Sequence, residues 1–317
     1  MTASPAPASG PSSAFSRTSP TGSADAVDSP ATTGPATAAG FADRAGIPGG
    51  AALAALITAP ENALVALDYD GTLAPIMPRP MDAAPAPGAV DALRALASRV
   101  GTLAIITGRP VDALLELTGL PADAGTEALA NLTILGQYGL QRWEGATGDT
   151  VSPEPLPGVA AVRARLPEVL RDAPPGVTVE DKVQALVIHV RRAVDPDAAL
   201  GALAPALRRL AEEHGLEAAP GKKVLELRPP HHDKGRALRE LVDERSARSV
   251  LMAGDDLGDL PAFDAVEALR STGIAGLTVC SDGPEVPPAL RERADLVVDG
   301  PAGIVALLQV LAARIGA

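Results

Sequence analysis

The chain has 317 residues, room for one large or two moderate domains, and its residues are 46% hydrophobic but only 2% aromatic, so a core of Ala, Val, Leu and Ile is expected. A formal net charge of −12 argues against nucleic acid or anionic membrane as a main partner, because both demand a basic surface. Cys280 is the only cysteine, which excludes internal disulfides and cysteine-rich zinc sites; with no apolar run near the ~18 residues of a membrane span and no signal-peptide pattern after Met1, a cytoplasmic protein is expected.

Residues 1–45, composed almost wholly of Ala, Ser, Thr, Pro and Gly, read as a disordered leader, since they offer little apolar surface to offset the entropy of ordering. Leu64 to Leu67 is an apolar run without polar alternation, as in a strand covered on both faces, and it ends in Asp68-Tyr69-Asp70-Gly71-Thr72. Gly71 lets the chain turn back tightly over whatever the carboxylates hold. A Pro-rich connection follows, then Val90, Leu93, Leu96 and Val100 at helical spacing. Leu103 to Ile106 is a second buried strand, ending in Thr107-Gly108-Arg109-Pro110 where a helix starts, a place suited to an anion. Leu132 to Leu135 repeats the pattern and ends in Gly136-Gln137-Tyr138-Gly139.

From about Gln141 to Arg228 the character changes to two helical stretches (158–172 and 196–214) and three strand-like ones, including 184–191 with Leu186, Ile188 and Val190 on one face. Paired strands with helices predict an inserted α+β domain. A helix over 233–246 then leads into strand Ser249 to Ala253, which ends in Gly254-Asp255-Asp256-Leu257-Gly258-Asp259. Strands near 275–280 and 295–298 and a helix over 301–314 close the chain. The expected fold class is α/β: a doubly wound, Rossmann-like core over 46–140 and 229–317, with an α+β cap over 141–228.

In a parallel sheet the ends of the first, second and resumed strands lie at one edge, so Asp68, Asp70, Thr107, Arg109, Lys234 and Asp255 converge. Packed carboxylates repel, and a hard divalent cation such as Mg²⁺ relieves them. Metal and Lys234 together make a receptor for phosphate, with Asp68 as nucleophile and Asp70 as proton donor and acceptor.

Asp68-Tyr69-Asp70-Gly71-Thr72, Thr107-Gly108-Arg109, Lys234-Gly235 and Gly254-Asp255-Asp256, in this order, resemble the four motifs of the haloacid dehalogenase-like phosphohydrolases. That resemblance implies Asp68 as nucleophile, Asp70 as acid/base, Thr107, Gly108, Arg109 and Lys234 around the phosphate, and Asp68, Asp70 through its backbone carbonyl, and Asp255 as Mg²⁺ ligands. Within the insertion, Val179-Glu180-Asp181-Lys182, His189-Val190-Arg191 and Gly221-Lys222-Lys223-Val224-Leu225-Glu226-Leu227-Arg228-Pro229 look like cap motifs of trehalose-6-phosphate phosphatases. The carry-over implies Glu180, Lys182 and Glu226 on the sugar, a sugar phosphate as substrate, and a functional link to a trehalose-6-phosphate synthase. Two departures stand out: Leu260 where an acid is usual, and Tyr138 where His is common. Other readings are a phosphatase for sucrose 6-phosphate or a glycosyl-phosphoglycerate, or a silent regulatory domain on a sugar-phosphate synthase. Glu180 and Lys182 could equally be a solvated face, Trp143 could stack on sugar or pack in the core, and His189 reads as a satisfied strand residue.

Overall fold

The computed structural model describes residues 49–120 and 126–316; the expected leader lies outside the described residues. In chain order the elements are α1 (Gly50–Thr58), β1 (Ala63–Leu67), α2 (Ala89–Ala97), β2 (Thr102–Ile106), α3 (Val111–Thr118), β3 (Leu132–Gly136), β4 (Gln141–Glu144) and β5 (Thr150–Val151). Then come α4 (Pro157–Val169), β6 (Thr178–Asp181), β7 (Leu186–His189), α5 (Pro196–Glu213), β8 (Glu217–Gly221) and β9 (Val224–Arg228). The chain ends with α6 (Lys234–Arg245), β10 (Ser249–Gly254), α7 (Leu260–Ser271), β11 (Ala275–Ser281), α8 (Pro288–Arg293), β12 (Leu296–Val298) and α9 (Gly300–Ile315). Among the described residues no helix is long and apolar enough to cross a membrane.

The first sheet has the order β12-β11-β10-β1-β2-β3-β4-β5. Neighbours from β12 to β3 are parallel, and β4 and β5 join antiparallel at the edge. Chain order reverses at β1, with β2 and β3 on one side and β10 to β12 on the other; such a switch point opens a crevice beyond the carboxyl ends. Leu67 registers with Ala253 on β10 and with Ile105 on β2, so Asp68, Thr107 and Asp255 leave three adjacent strands at one edge.

Alternation along β1 fills both faces. Val65 and Leu67 join Leu103 and Ile105 under α1, α2 and α9, while Leu64 and Ala66 join Ala104, Ile106 and Met252 under α6 and α7. Trp143 is buried in the first of these layers, which makes it a packing residue rather than a sugar platform. Cys280 is buried in the second, where burial pushes its thiol up to about 12 and leaves it unreactive.

The second sheet has the order β6-β7-β9-β8, all antiparallel. Helices α4 and α5 cover the face made by Leu186, Ile188, Leu225 and Leu227. By alternation the opposite face carries Glu180, Val187 and Glu226, which the register puts in one row. The change of character expected at Gln141 comes before the division between the sheets. At Gln137 and Tyr138, both left-handed, the chain reverses and runs back along β3, so β4 and β5 extend the first sheet. The second sheet with its helices spans 157–228 and has four strands rather than the three expected.

Asp233 fixes the start of α6: its carboxylate accepts the Arg236 N–H at 2.7 Å and so sets Lys234 as the first helical residue. Asp233→Ala should cost about 1 kcal/mol by loss of this cap. Calorimetry should show Tm falling by about 2–4 °C; an unchanged Tm would mean that the start of α6 is held by packing alone.

Candidate active site

Asp68 keeps its place in the sheet, its N–H donating to the Ala253 carbonyl at 2.9 Å, and its carboxylate meets Lys234 at the strand end. Lys234 Nζ lies 2.6 Å from Asp68 Oδ1 and 2.7 Å from Asp259 Oδ1. None of the three is accessible: exposures are 4% for Asp68, 4% for Lys234 and 0% for Asp259. The other oxygen of Asp259 accepts the N–H groups of Asp255 at 2.9 Å and Asp256 at 3.0 Å, so this one side chain both shapes the turn after β10 and answers Lys234. The sequence left its role open; the structure makes it a member of the cluster.

Carboxylate oxygens of Asp68, Asp255 and Asp259 lie within 4.8 Å of one another. Asp255 Oδ1 is buried without a hydrogen-bond partner. Gly71 leaves room for the other oxygen: its φ of 83° is left-handed, and a Cβ there would lie 2.1 Å from Asp255 Oδ2. Against the three carboxylates stand the Lys234 ammonium and, 3.9 Å from Asp255 Oδ2, that of Lys222, so negative charge is in excess. The titrations reflect this. Burial, then the neighbouring Asp259 and Asp256, push Asp255 up to about 8. Burial raises Asp68 well above the usual carboxylate range, Lys234 opposing it and Asp259 and Asp255 reinforcing it. Burial acts against the Lys234 ammonium too, yet Asp259 and Asp68 outweigh it and hold that pKa well above its ordinary value. An all-oxygen donor set, an orphaned Asp255 oxygen and a surplus of negative charge fit a hard divalent cation.

Asp70 is turned elsewhere. Arg109 forks onto it, Nε to Oδ2 at 2.7 Å and Nη2 to Oδ1 at 2.6 Å, with the guanidinium 5.5 Å above the Tyr69 ring. In this geometry both carboxylate oxygens are acceptors, and neither residue is yet directed at a ligand. Thr107 is buried, and its Oγ1 accepts the Arg109 N–H at 3.1 Å, which leaves the hydroxyl proton free to donate.

The bare face of the second sheet looks onto this edge. Lys182 Nζ donates to the Gly108 carbonyl at 2.9 Å and to Glu226 Oε1 at 3.1 Å, tying the two sheets together through one ammonium. Glu226 is buried, with Arg228 Nη1 3.9 Å from its other oxygen. Glu180 meets His189 Nε2 at 2.8 Å, and that hydrogen bond holds its carboxyl below the usual range. Of the pair that could have been a solvated face, Lys182 is nearly buried while Glu180 stays partly exposed beside His189, which is the satisfied strand residue expected.

Tyr138 is the functional neighbour that sequence reasoning left unresolved. Its φ is 58°, its ring carries the Arg228 guanidinium at 4.4 Å, and its hydroxyl fills the space where a Cβ on Gly108 would sit, at 2.6 Å. Gly108 is thus dictated by Tyr138, a pairing visible only once β2 and β3 lie side by side. Of the remaining histidines, His232 meets the Pro230 carbonyl and His231 donates its N–H to Glu217; neither joins a metal-type cluster among the described residues.

The trehalose-phosphatase family model matches residues 66–295. A trehalose-phosphate phosphatase of Mycobacterium marinum is 35% identical over 218 residues, covering 66% of this chain and 53% of that protein. An uncharacterized glycosyl hydrolase of Mycobacterium tuberculosis is 35% identical over 223 residues, covering 66% of this chain but 15% of that one. This chain therefore spans about half the length, or less, of these curated relatives. Among solved structures, the C-terminal domain of a Candida albicans trehalose-6-phosphate phosphatase superposes with a TM-score of 0.67 at 23% identity, over 84% of this chain and 97% of that one, a likeness of fold.

A carboxyl raised by burial binds a proton in the folded chain that it lacks when unfolded, so between pH ~4 and about 8 the metal-free protein should lose stability as pH rises through the Asp255 pKa. Thermal melts at pH 5 and pH 8 should show this decline, and Mg²⁺ should raise Tm more at pH 8, where the carboxylates need no deprotonation to bind it. An equal Mg²⁺ effect at both values would place the ion away from this cluster.

Proposed function

This chain belongs to the trehalose-phosphatase family, with a haloacid dehalogenase-like core, and from that premise we propose that it hydrolyses trehalose 6-phosphate to trehalose and phosphate through an aspartyl-phosphate on Asp68. The observation that carries the reading is the pairing of Lys182 with both Gly108 and Glu226. A row of sugar-competent polar groups is thereby held over a carboxylate, Asp68, that already faces an ammonium.

In the proposed reaction an Asp68 oxygen attacks phosphorus and the bond to the sugar oxygen breaks. Lys234, 2.6 Å from Asp68, orients that carboxylate and balances charge on the phosphoryl oxygens. Thr107 can donate its free hydroxyl proton to the same oxygens, and the Gly108–Arg109 turn presents backbone N–H groups to them. Arg109 presents a fork that suits phosphate as well as carboxylate. Arrival of the phosphate therefore lets Arg109 release Asp70, which, freed from the guanidinium, takes up a proton from solvent and then gives it to the departing sugar oxygen. Asp70 next takes a proton from water, which attacks the aspartyl-phosphate and frees Asp68 and inorganic phosphate. Asp68, Asp255 and Asp259 would hold a divalent ion, Mg²⁺ in this proposal, with the Asp70 carbonyl as a further ligand. When bound it would offset the charge between carboxylate and phosphoryl group.

Residues 157–228 act in this reading as a cap that recognises the leaving group. Glu180 and Glu226 accept from sugar hydroxyls and Lys182 donates to them. The reaction would complete trehalose synthesis in the cytoplasm, taking its substrate from a trehalose-6-phosphate synthase.

Three measurements test the proposal. Phosphate release should be fastest from trehalose 6-phosphate in a panel of sugar phosphates and should require Mg²⁺; preference for sucrose 6-phosphate would reassign the substrate. Asp68→Asn should lower kcat by several orders of magnitude, each tenfold being about 1.4 kcal/mol of barrier. A variant that retained much of its activity would rule out the covalent route. Glu226→Gln keeps the volume of the side chain and should reduce kcat/KM for trehalose 6-phosphate by about tenfold or more, a charged hydrogen bond being worth roughly 1.5–3 kcal/mol. Turnover of a small aryl phosphate should change by less than about threefold, under 1 kcal/mol; equal losses on both would assign Glu226 to the chemistry or the fold.

A further inference from the structure

A third ion cluster lies outside the sugar-facing row and the phosphate edge. Glu285 stands in the loop between β11 and α8, at the same edge of the first sheet as the carboxylate cluster. Its Oε1 lies 3.7 Å from Arg191 Nη1 and its Oε2 3.1 Å from Lys222 Nζ. Both cations come from the second sheet: Arg191 follows β7, and Lys222 sits in the turn between β8 and β9. The register brings these two turns together, with His189 opposite Val224 and the Val190 N–H donating to the Lys223 carbonyl. Lys222 Nζ is also 3.9 Å from Asp255 Oδ2, so the group Glu285 holds stands directly over the carboxylate cluster.

Lys182 provides the other point of attachment. It lies in the turn between β6 and β7, at the opposite end of β7 from Arg191, and it reaches the Gly108 carbonyl beyond β2. In the sheet order β11-β10-β1-β2, the Glu285 and Gly108 contacts are separated by the two strands that bear Asp255 and Asp68. The cap is thus fastened on both sides of the candidate nucleophile. The two fastenings differ in character: Lys182 and Glu226 are nearly buried, whereas half of the Glu285 side chain is exposed.

We propose that Glu285 is the positioning residue that latches the cap shut, one oxygen on Arg191 and one on Lys222, and so seats the sugar-facing row over Asp68. The inference rests on the reading of 157–228 as a cap on a sugar phosphatase. Glu285 is half exposed and Arg191 a third, so their pair is weak and breaks readily in water, whereas the shielded Lys222 Nζ, which makes no hydrogen bond, has Glu285 as its near charge partner at 3.1 Å. The neighbouring turns, the one holding Lys223 at a left-handed φ of 61° and the one after His189, close as a unit when both cations are held.

The latch is tested with the full chain and Glu285→Gln, which keeps shape and removes charge. At low salt, kcat/KM for trehalose 6-phosphate should fall about fivefold or more, the equivalent of ~1 kcal/mol, chiefly through KM. Hydrolysis of a small aryl phosphate, which makes no demand on the cap, should stay within about twofold, under 0.5 kcal/mol. Raising salt should weaken the wild-type protein toward the variant, because exposed pairs are screened within ~8 Å at physiological ionic strength. Glu285→Asp, which retains the charge, should recover part of the loss. Amide exchange over 189–192 and 221–224 should quicken in Glu285→Gln with the first sheet unchanged. A kcat/KM for trehalose 6-phosphate within about twofold of wild type at low salt would overturn the latch, that being under 0.5 kcal/mol. Equal losses on both substrates would overturn it as well. If the wild-type protein released no phosphate from trehalose 6-phosphate, the functional reading would fall, and faster exchange confined to the two turns would still support the contact.

Discussion

The Lys234 ammonium, shared between Asp68 and Asp259 where all three side chains are almost wholly buried, is the contact on which the rest of the molecule depends. Taking charges out of water costs several kcal/mol per ion even after relaxation, and a buried pair offsets this only when its remaining lone pairs are satisfied. Asp259 meets that condition with two backbone N–H groups and Lys234. Asp255 does not: one oxygen is orphaned, and Lys222 Nζ stands 3.9 Å from the other, beyond hydrogen-bond distance. The site therefore carries an electrostatic debt that only a cation or a proton can settle, and the rise of Asp255 to about 8 is the proton's answer.

Such a cluster needs a rigid frame, and the frame follows from the alternation of small and branched apolar residues along β1. With Leu64 and Ala66 packed to one side and Val65 and Leu67 to the other, the strand has no freedom to slip, since a shift of one residue would exchange its two buried faces. The switch in strand order at β1 then leaves a crevice where three strands deliver polar residues and no side chain covers them from within the sheet. Stability of the frame and reactivity of the edge are consequences of one register.

Much of this was legible in the sequence because apolar runs that end abruptly in acids, a Thr or a Gly are local patterns. The Asp68, Thr107 and Asp255 strand ends and the Lys234 helix start follow from period and position, whereas Glu180, Lys182 and Glu226 came with the resemblance to the cap motifs. Less legible were features set by pairing between distant segments. The Arg109 fork onto Asp70 joins residues 39 apart in sequence, and no spacing announces it. The reversal at Gln137 and Tyr138 requires left-handed backbone at two residues other than Gly, so the short strands β4 and β5 looked like the beginning of a new domain. Helix α1 escaped notice for the opposite reason: nearly all of its residues are apolar or Gly, so it shows no polar face to betray a helical period.

The contacts between the sheets follow a gradient of burial that matches what each must do. Within the first sheet, Lys234 and its carboxylates are sealed, and moving any of them would expose a charge to an apolar interior. In the row of Lys182 and Glu226, both nearly buried, the anchors are the Gly108 carbonyl, each other and Arg228. Farther out, half of Glu285 and a third of Arg191 are in water, over the better shielded Lys222. Coulombic attraction is weakened by solvent in the same order, so the outer pair opens first and the inner cluster persists. If residues 157–228 cap the site as proposed, it has to admit a substrate without dismantling its chemistry, and a charge gradient of this kind would let the cap part from the core along its wet edge while Asp68, Lys234 and Asp259 stay together.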